Sequence, residues 1–436
     1  MISKELKKKV LSVIKPNKKE HQIILHDVEE LISQLNKSAK ALSIKASFLV
    51  GGSFGKGTYL KDSFDVDIFC RFDLSYQDLE LSGLAKSILD EIGLIYFKQK
   101  GSRDYFSGNF KSIHFELVPN YFITSLTDAK NSTDYSPMHV EFVLMSAKKN
   151  PHLLDEIRLT KQFLKAKGLY GAESYINGFS GHIIDLLIIF YGTLDTFLEH
   201  TKTWGDQTLV DVANNYSSNK TLLDSMDDTK ISNLIVVDPI LKERNAARAL
   251  GVQKYFELIY LTQSTSFFSE EDFIINLESS EDFLKRTLTF ANSQNVYRIS
   301  YELSLTEIES EDIAGSKLLK LFSKIVSYYT KKDFTLFEKD FFISFEEKKC
   351  IFIYYFEKHE LSTFKLIVGP QIYRHDAVVD FSKNKNDFFV KDDRICTYEK
   401  REVTLLQNYD SLDILKLKKL FSKNLDFIVK VIFKFL

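Results

Sequence analysis

The chain has 436 residues, too many for one ordinary domain, and 44% of them are hydrophobic, so two to four folded domains are expected and wholesale disorder is excluded. Acids and bases nearly cancel at a formal net charge of -2, so a nucleic-acid surface would have to be local rather than a property of the whole chain. Cys70, Cys350 and Cys396 stand far apart without a CxxC pair, which excludes a disulfide framework and a cysteine zinc site and suits a reducing cytoplasm; no HExxH occurs among the histidines.

The opening MISKELKKKVLSVIKPNKKE is rich in Lys and has no apolar core, so a secretory signal is not expected. The stretch reads as a solvated helix face or as a local basic surface. Leu25, Val28, Leu31, Ile32 and Leu35 recur at helical spacing through residues 18–40. SFLV then reads as a strand, the glycine stretch as a loop into a short helix, and DVDIFCRF as a second strand. IHFELVP is a third strand, closed by Pro119, and the set predicts a small α/β sheet. From about 140 to 265 the pattern turns helical, with DEIRLTKQFLKAKGLYG, HIIDLLIIFYGTLDTFL and ERNAARALGVQKYFELIYL. The second of these is the most apolar; Asp185 and Asp195 interrupt it, it is too short to span a bilayer, and it predicts a buried helix. LTEIESEDIAGSKLLKLFSKIVSYYTKK places acids early and lysines late, matching a helix dipole. DFTLFEKDFFISFEEKKCIFIYYFE alternates around a turn at Glu346–Lys349, predicting a hairpin. The closing KLKKLFSKNLDFIVKVIFKFL interleaves Lys with apolar residues and reads as a Lys-rich helix. There is no internal repeat and no low-complexity linker.

Chemistry concentrates in VGGSFGKGTYLKDSFDVDIF, residues 50–69. A Walker A loop is excluded, because Gly57 follows Lys56 and Val50 stands where the first Gly belongs; no GxGxxG fits either. What remains is Gly52-Ser53, Gly57-Thr58 and Asp65-Val66-Asp67. Glycine before a helix start lets backbone N–H groups approach an anion, and the Ser53 hydroxyl adds a donor. Asp65 and Asp67 alternate along a strand and so share a face. Two carboxylates beside a phosphate cradle suit a pair of Mg2+ ions bridging triphosphate oxygens. Glu116, a charge inside an apolar strand, is the natural third carboxylate. Each part alone is as readily a turn, a solvated strand or an exposed edge; together, in this order, they describe a site.

GGSFGKGTYLKDSFDVDIF resembles the signature of the DNA polymerase β nucleotidyltransferase superfamily. SPMHVEFV, EIRLTKQFLKAKGLYGAE, GFSGHIIDLLIIFYG and VVDPILKERNAARAL, with the later VGPQIYRHDAVVDF and FFVKDDRICTYEKRE, resemble the archaeal, class I CCA-adding enzymes. The resemblance implies an α+β multidomain fold. Residues 1–140 would be a polymerase-β-like nucleotidyltransferase head with a small mixed sheet. Residues 141–265 would form a helical neck completing the nucleotide pocket, and residues 266–436 an α+β body and tail, the tail at roughly 310–400.

The implied activity is template-independent addition or repair of the 3′-terminal CCA of tRNA from CTP and ATP, with Mg2+ as cofactor and pyrophosphate released. The implied partner is tRNA, gripped at its acceptor and TΨC arms, in the cytoplasm and away from membranes; a homodimer is left open. Residue by residue, the resemblance implies that Asp65 and Asp67 hold the metals and that Glu116 is the third carboxylate near the attacking 3′-hydroxyl. Gly52, Ser53 and Lys56 would grip phosphates, with Lys161 and Tyr170 as further phosphate contacts. His139 and Arg244 would lie close to the incoming base and its phosphates, and the tRNA contacts would fall on the C-terminal helix and the EEKKC hairpin. Two positions depart from the family pattern: Glu116 stands where Asp is usual, one methylene longer, and Lys56 where Arg is more usual, without its bidentate fork. Neither removes charge. Two other readings share GS…GT…DxD: an enzyme that joins nucleotides into oligoadenylate or cyclic-dinucleotide signals, and a catalytically silent RNA-binding relative.

Overall fold

Valine, isoleucine and phenylalanine at every second position of VDIFCRF and IHFELVP send two neighbouring strands into one core and leave the intervening residues on the opposite face. A computed structural model, which describes residues 2–61, 63–306, 308, 310–383, 387–401 and 428–435, bears this out. The chain forms two compact units, Met1–Asn276 and Leu277–Leu436.

The first unit opens with helices α1 (Lys4–Ile14) and α2 (Lys18–Ala41). Strand β1 (Ala46–Val50), the single turn α3 (Gly52–Gly55) and strand β2 (Val66–Phe72) follow, then α4 (Leu81–Glu91), β3 (Tyr96–Gln99), β4 (Tyr105–Phe110) and β5 (Ile113–Tyr121). The strands make one mixed sheet in the order β1-β2-β5-β4-β3, with β2 and β5 parallel and the other pairs antiparallel. Val66, Ile68, Cys70 and Phe72 from β2 and Phe115 and Leu117 from β5 pack with Val28, Leu31 and Leu35 of α2 and Ile88 and Leu89 of α4. That packing fixes the face on which Asp67 and Glu116 stand, directly paired in the β2–β5 register. The β3–β4 hairpin was not expected from the sequence. Nor does Pro119 close β5, which runs on to Tyr121. The Pro119 carbonyl accepts from Arg103 Nη1 at 3.1 Å, so its N points to that side too, away from β2, and no ladder bond is lost.

Helices α5 (Ser136–Lys149), α6 (Leu153–Ala166), α7 (Gly181–Tyr191) and α8 (Leu194–Thr201) build a second core, joined by α10 (Val252–Ser264). Between α8 and α10, strands β6 (Thr208–Asp211) and β7 (Leu234–Val237) pair in parallel around α9 (Asn219–Ser225). The apolar segment predicted as one buried helix is two, α7 and α8, bent by 93°. Gly192 makes the break with φ at 85°, a conformation costly for any side chain, and Thr193 caps α8. No single described helix is long and apolar enough to cross a membrane. The helix expected over ERNAARAL is instead a series of turns, because the buried Asn245 amide bridges the Leu234 and Lys230 carbonyls and the Val236 N–H, clamping the segment onto β7.

In the second unit, α11 (Ser280–Gln294), β8 (Tyr297–Leu305), α12 (Glu311–Lys331), β9 (Leu336–Ser344) and β10 (Lys349–Phe356) are followed by β11 (Phe364–Gln371), α13 (His375–Ser382), β12 (Phe388–Lys391), β13 (Arg394–Lys400) and β14 (Ile428–Phe435). The predicted hairpin is β9–β10 within the sheet β14-β8-β10-β9. Along β10, Cys350, Phe352 and Tyr354 join the core of α12, while Ile351, Ile353 and Tyr355 join that of α11. A sheet covered on both faces explains why CIFIYYF is apolar without interruption. β11, β13 and β12 form a separate antiparallel sheet. Residues 428–435, read as the end of a Lys-rich helix, are strand β14, paired with β8; the rest of that predicted helix lies outside the described residues. All three cysteines are buried, and burial holds the Cys70 and Cys350 thiols well above their ordinary pKa.

Candidate active site

The turn after β1 begins Gly51-Gly52, and both glycines are required by close approach. A Cβ on Gly51 would meet the Phe69 ring at 2.3 Å, and one on Gly52, where φ is +54°, would meet Asp67 Oδ2 at 1.5 Å. The Gly51 N–H donates to the Asp67 carbonyl at 2.7 Å. Glycine therefore lets the α3 turn lie against the Asp67 carboxylate. Beyond α3, Arg158 on α6 donates through Nε to the Tyr59 carbonyl at 3.1 Å and through Nη2 to the Gly57 carbonyl, tying the glycine loop to the helical core.

These elements enclose a cleft of about 450 Å3. Gly52, Ser53, Lys56, Asp65, Asp67, Glu116, Lys161 and Tyr170 all line it, so eight of the ten predicted site residues meet in one place. Asp65 precedes β2 and is exposed, while Asp67 and Glu116 sit deeper. Burial, then the charge of Asp65, pushes the Asp67 carboxyl up to about 6. Burial, then the charges of Asp67 and Asp65, pushes Glu116 up to about 7. Among the described residues none of the three is in a salt bridge. Three crowded oxygen donors that disfavour one another's charge are suited to a hard divalent cation, which would remove the repulsion.

Across the cleft the charges are positive and compensated. Lys56 Nζ donates to Asp185 Oδ2 at 2.8 Å, and Lys161 Nζ lies 3.7 Å from Asp185 Oδ1 while donating to Thr58 Oγ1 at 3.0 Å. Burial lowers the Lys161 pKa against the opposing pull of Asp185. Burial, then Asp185 and Glu173, pushes the Tyr170 hydroxyl up to about 12, so it remains a neutral donor.

His139 and Arg244, the remaining two predicted residues, do not line the cleft; they converge on Asp238. His139 Nε2 is 2.9 Å from Asp238 Oδ1 and Arg244 Nη1 donates to Oδ2 at 2.7 Å, while the backbone N–H groups of Ile240 and Leu241 also donate to Oδ1. Burial alone would raise the Asp238 pKa, but the hydrogen bond with His139 and the approach of His182, 3.6 Å away, hold it well below the usual carboxylate range. His182 lines the cleft and packs against His139 at 4.5 Å between ring centroids, so it links this hub to the cleft. His139, His182 and Asp238 bring ligand-type atoms within 4.8 Å of one another. The Asp238 oxygens are already taken up by four donors, however, and the Arg244 guanidinium abuts them, which disfavours a cation there. Arg158, His182, Asp185 and Asp238 were not singled out from the sequence. Asp185 carried the same signal as Glu116, a lone charge in an apolar element.

Residues 32–150 match the family described as nucleotidyltransferase domain, residues 155–275 that described as tRNA nucleotidyltransferase, second domain, and residues 305–429 that described as CCA-adding enzyme, C-terminal domain. A CCA-adding enzyme of Methanococcus maripaludis (strain C7) is 28% identical over 403 residues, which is 91% of this chain and 88% of that protein. Over about nine-tenths of its length the chain is homologous to archaeal CCA-adding enzymes. Another such enzyme, from Nanoarchaeum equitans, is 28% identical over 380 residues, 87% of this chain and 88% of its own length. A solved structure of a cytoplasmic RNA terminal U-transferase matches 63% of this chain at 14% identity with a TM-score of 0.48. The domain matches and this homology make the chain a nucleotidyltransferase with an α+β multidomain, polymerase-β-like fold.

Proposed function

We propose that this chain adds or repairs the 3′-terminal CCA of tRNA, template-independently, by transferring nucleotides from CTP and ATP with release of pyrophosphate. The observation that carries the reading is the opposition, across one cleft, of Asp65, Asp67 and Glu116 to Lys56 and Lys161. Asp65, Asp67 and Glu116 would hold divalent cations, Mg2+ by their all-oxygen donor set, which when bound acidify the primer 3′-hydroxyl and neutralise the leaving pyrophosphate. Lys56, Lys161 and the Tyr170 hydroxyl bind the triphosphate, with Ser53 as a further donor, and hold the α-phosphorus in line with the 3′-oxygen. As the 3′-oxygen bonds to that phosphorus, the bond from it to the bridging oxygen of the β-phosphate breaks, pyrophosphate departs with that oxygen, and the hydroxyl proton passes to solvent. Glu116, one methylene longer than the usual Asp, orients the hydroxyl from β5. Arg244 and His139, fixed by Asp238, do not line the cleft and would reach the base or phosphates only past His182, which does.

The cleft draws on residues from both 1–140 and 141–265, which supports reading these as a head and a neck that completes the pocket. Residues 266–436 serve as body and tail, binding the acceptor and TΨC arms largely through backbone and shape, with salt-sensitive affinity. The protein works in the cytoplasm, with a homodimer as one assembly open to it.

The test incubates the chain, Mg2+ and a tRNA lacking its CCA with CTP and ATP, singly and together, and resolves products at single-nucleotide length. Stepwise addition of C, C and A, lost in Asp67→Ala, is expected. Absence of tRNA extension, or small products made from nucleotides alone, overturns the reading.

A further inference from the structure

Asp185 is a charged residue on the most apolar helix of the chain, only 1% exposed. Nothing in the proposed chemistry uses it directly, yet two of the groups that chemistry relies on converge on it. Lys56 reaches it from the loop after α3 and Lys161 from α6, so one carboxylate joins ammonium groups from separate elements. Two ammonium groups so close in a buried place repel each other, and without a counter-charge one of them would shed its proton or turn away. With Asp185 between them the cluster keeps one net positive charge and a fixed geometry. The two contacts also differ in kind. Oδ2 accepts a 2.8 Å hydrogen bond from Lys56, while Oδ1 has no hydrogen-bond partner among the described residues and faces Lys161 at 3.7 Å. Lys56 is anchored by Asp185; Lys161 is held by the charge of Asp185 and by its bond to Thr58. Gly181, one turn before Asp185 on α7, lets that helix lie close to both groups: a Cβ there would come within 3.3 Å of the Tyr170 hydroxyl and 3.8 Å of Lys161 Nζ.

We infer that Asp185 is a positioning residue for the triphosphate of the incoming nucleotide, keeping Lys56 and Lys161 charged and aimed into the cleft. The inference rests on reading the cleft as a nucleotide pocket. It assigns Asp185 to phosphate affinity, leaving base choice and the primer to other residues.

Equilibrium binding of CTP, CMP and inorganic tripolyphosphate to the full chain tests it, alongside tRNA-extension kinetics. Asp185→Asn, nearly isosteric, is expected to weaken CTP and tripolyphosphate about 10-fold while CMP changes less than about 2-fold, and to raise KM for CTP more than it lowers kcat. Loss of Lys56 should already remove part of what Asp185 supports, so Asp185→Asn in a Lys56→Met background should cost less than in the wild type. Should Asp185→Asn not fold, the size-matched pair Asp185→Glu and Asp185→Gln replaces it: Glu is expected to retain the preference for tripolyphosphate over CMP and Gln to lose it. Unchanged CTP affinity in the neutral variant, or an equal loss of CMP, overturns the inference. A wild-type chain that binds neither CTP nor tripolyphosphate overturns the pocket reading itself, whatever the variants do.

Discussion

The two charged walls of the cleft are built on opposite terms. On the sheet side, Asp65, Asp67 and Glu116 crowd together with no salt-bridge partner among the described residues, and burial, then the neighbouring carboxylates, raises the pKa of Asp67 and of Glu116. On the helical side, Lys56 and Lys161 are more deeply buried than the Asp65 carboxylate and yet are compensated by Asp185. The chain completes one wall itself and leaves the other to be completed by a ligand. An uncompensated buried charge cluster is costly to keep, so it marks where a cation is expected; a compensated one marks preorganisation.

The largest effect should come from breaking the uncompensated wall. Asp67→Asn is expected to lower CCA-adding turnover by about 10^3-fold or more, measured by single-turnover tRNA extension. The same substitution should raise the melting temperature of the metal-free chain near pH 8, because it removes a charge the fold disfavours. Breaking the compensated wall is milder: Lys161→Met should cost about 10- to 100-fold in kcat/KM for CTP, as removal of one charged transition-state contact commonly does. The Asp238 hub is compensated too. Asp238→Asn should leave the His139–His182–Arg244 group without its counter-charge and destabilise the chain by about 3 kcal/mol in denaturant unfolding.

A smaller effect concerns pH. The Asp67 and Glu116 carboxyls are raised on folding, so their contribution favours the fold below about pH 4 and is lost as pH rises through about 6 and 7. The metal-free chain should therefore weaken across that window, and Mg2+ should raise its melting temperature more near pH 8 than near pH 5, by a few degrees in a thermal scan. An equal rise at both values would show that the carboxylates are not the binding groups. The smallest change should be Glu116→Asp, shifting the extension rate less than about 10-fold in either direction, since charge and ligand type persist.

The uncompensated wall was legible in the sequence because its signals are local. Asp65 and Asp67 lie two apart at the start of a strand, Asp65 just before its first residue, Gly51 and Gly52 precede a turn, and Glu116 interrupts an apolar run. On the compensated wall the family blocks pointed to Lys56, Lys161 and Tyr170, but their counter-charge was not legible, since Lys56 and Asp185 are 129 positions apart and only the fold joins them. Periodicity could mark Asp185 as out of place on α7 but could not name its partners. The same limit explains the misread C-terminus. Lys430 and Lys434 are four residues apart, a spacing that suits a helical face and a strand face equally, so pairing with β8 decides between them. Pro119 misled for a related reason: whether a missing N–H ends a strand depends on which neighbour it faces.

The burial of Cys70, Cys350 and Cys396 has a practical consequence. With every native thiol shielded in a core, a cysteine introduced at an exposed position would be the one readily labelled by a maleimide dye. One such site in Met1–Asn276 and another in Leu277–Leu436 would turn the protein into a molecular ruler, testing by energy transfer whether the distance between the two units changes as each nucleotide is joined to the growing end.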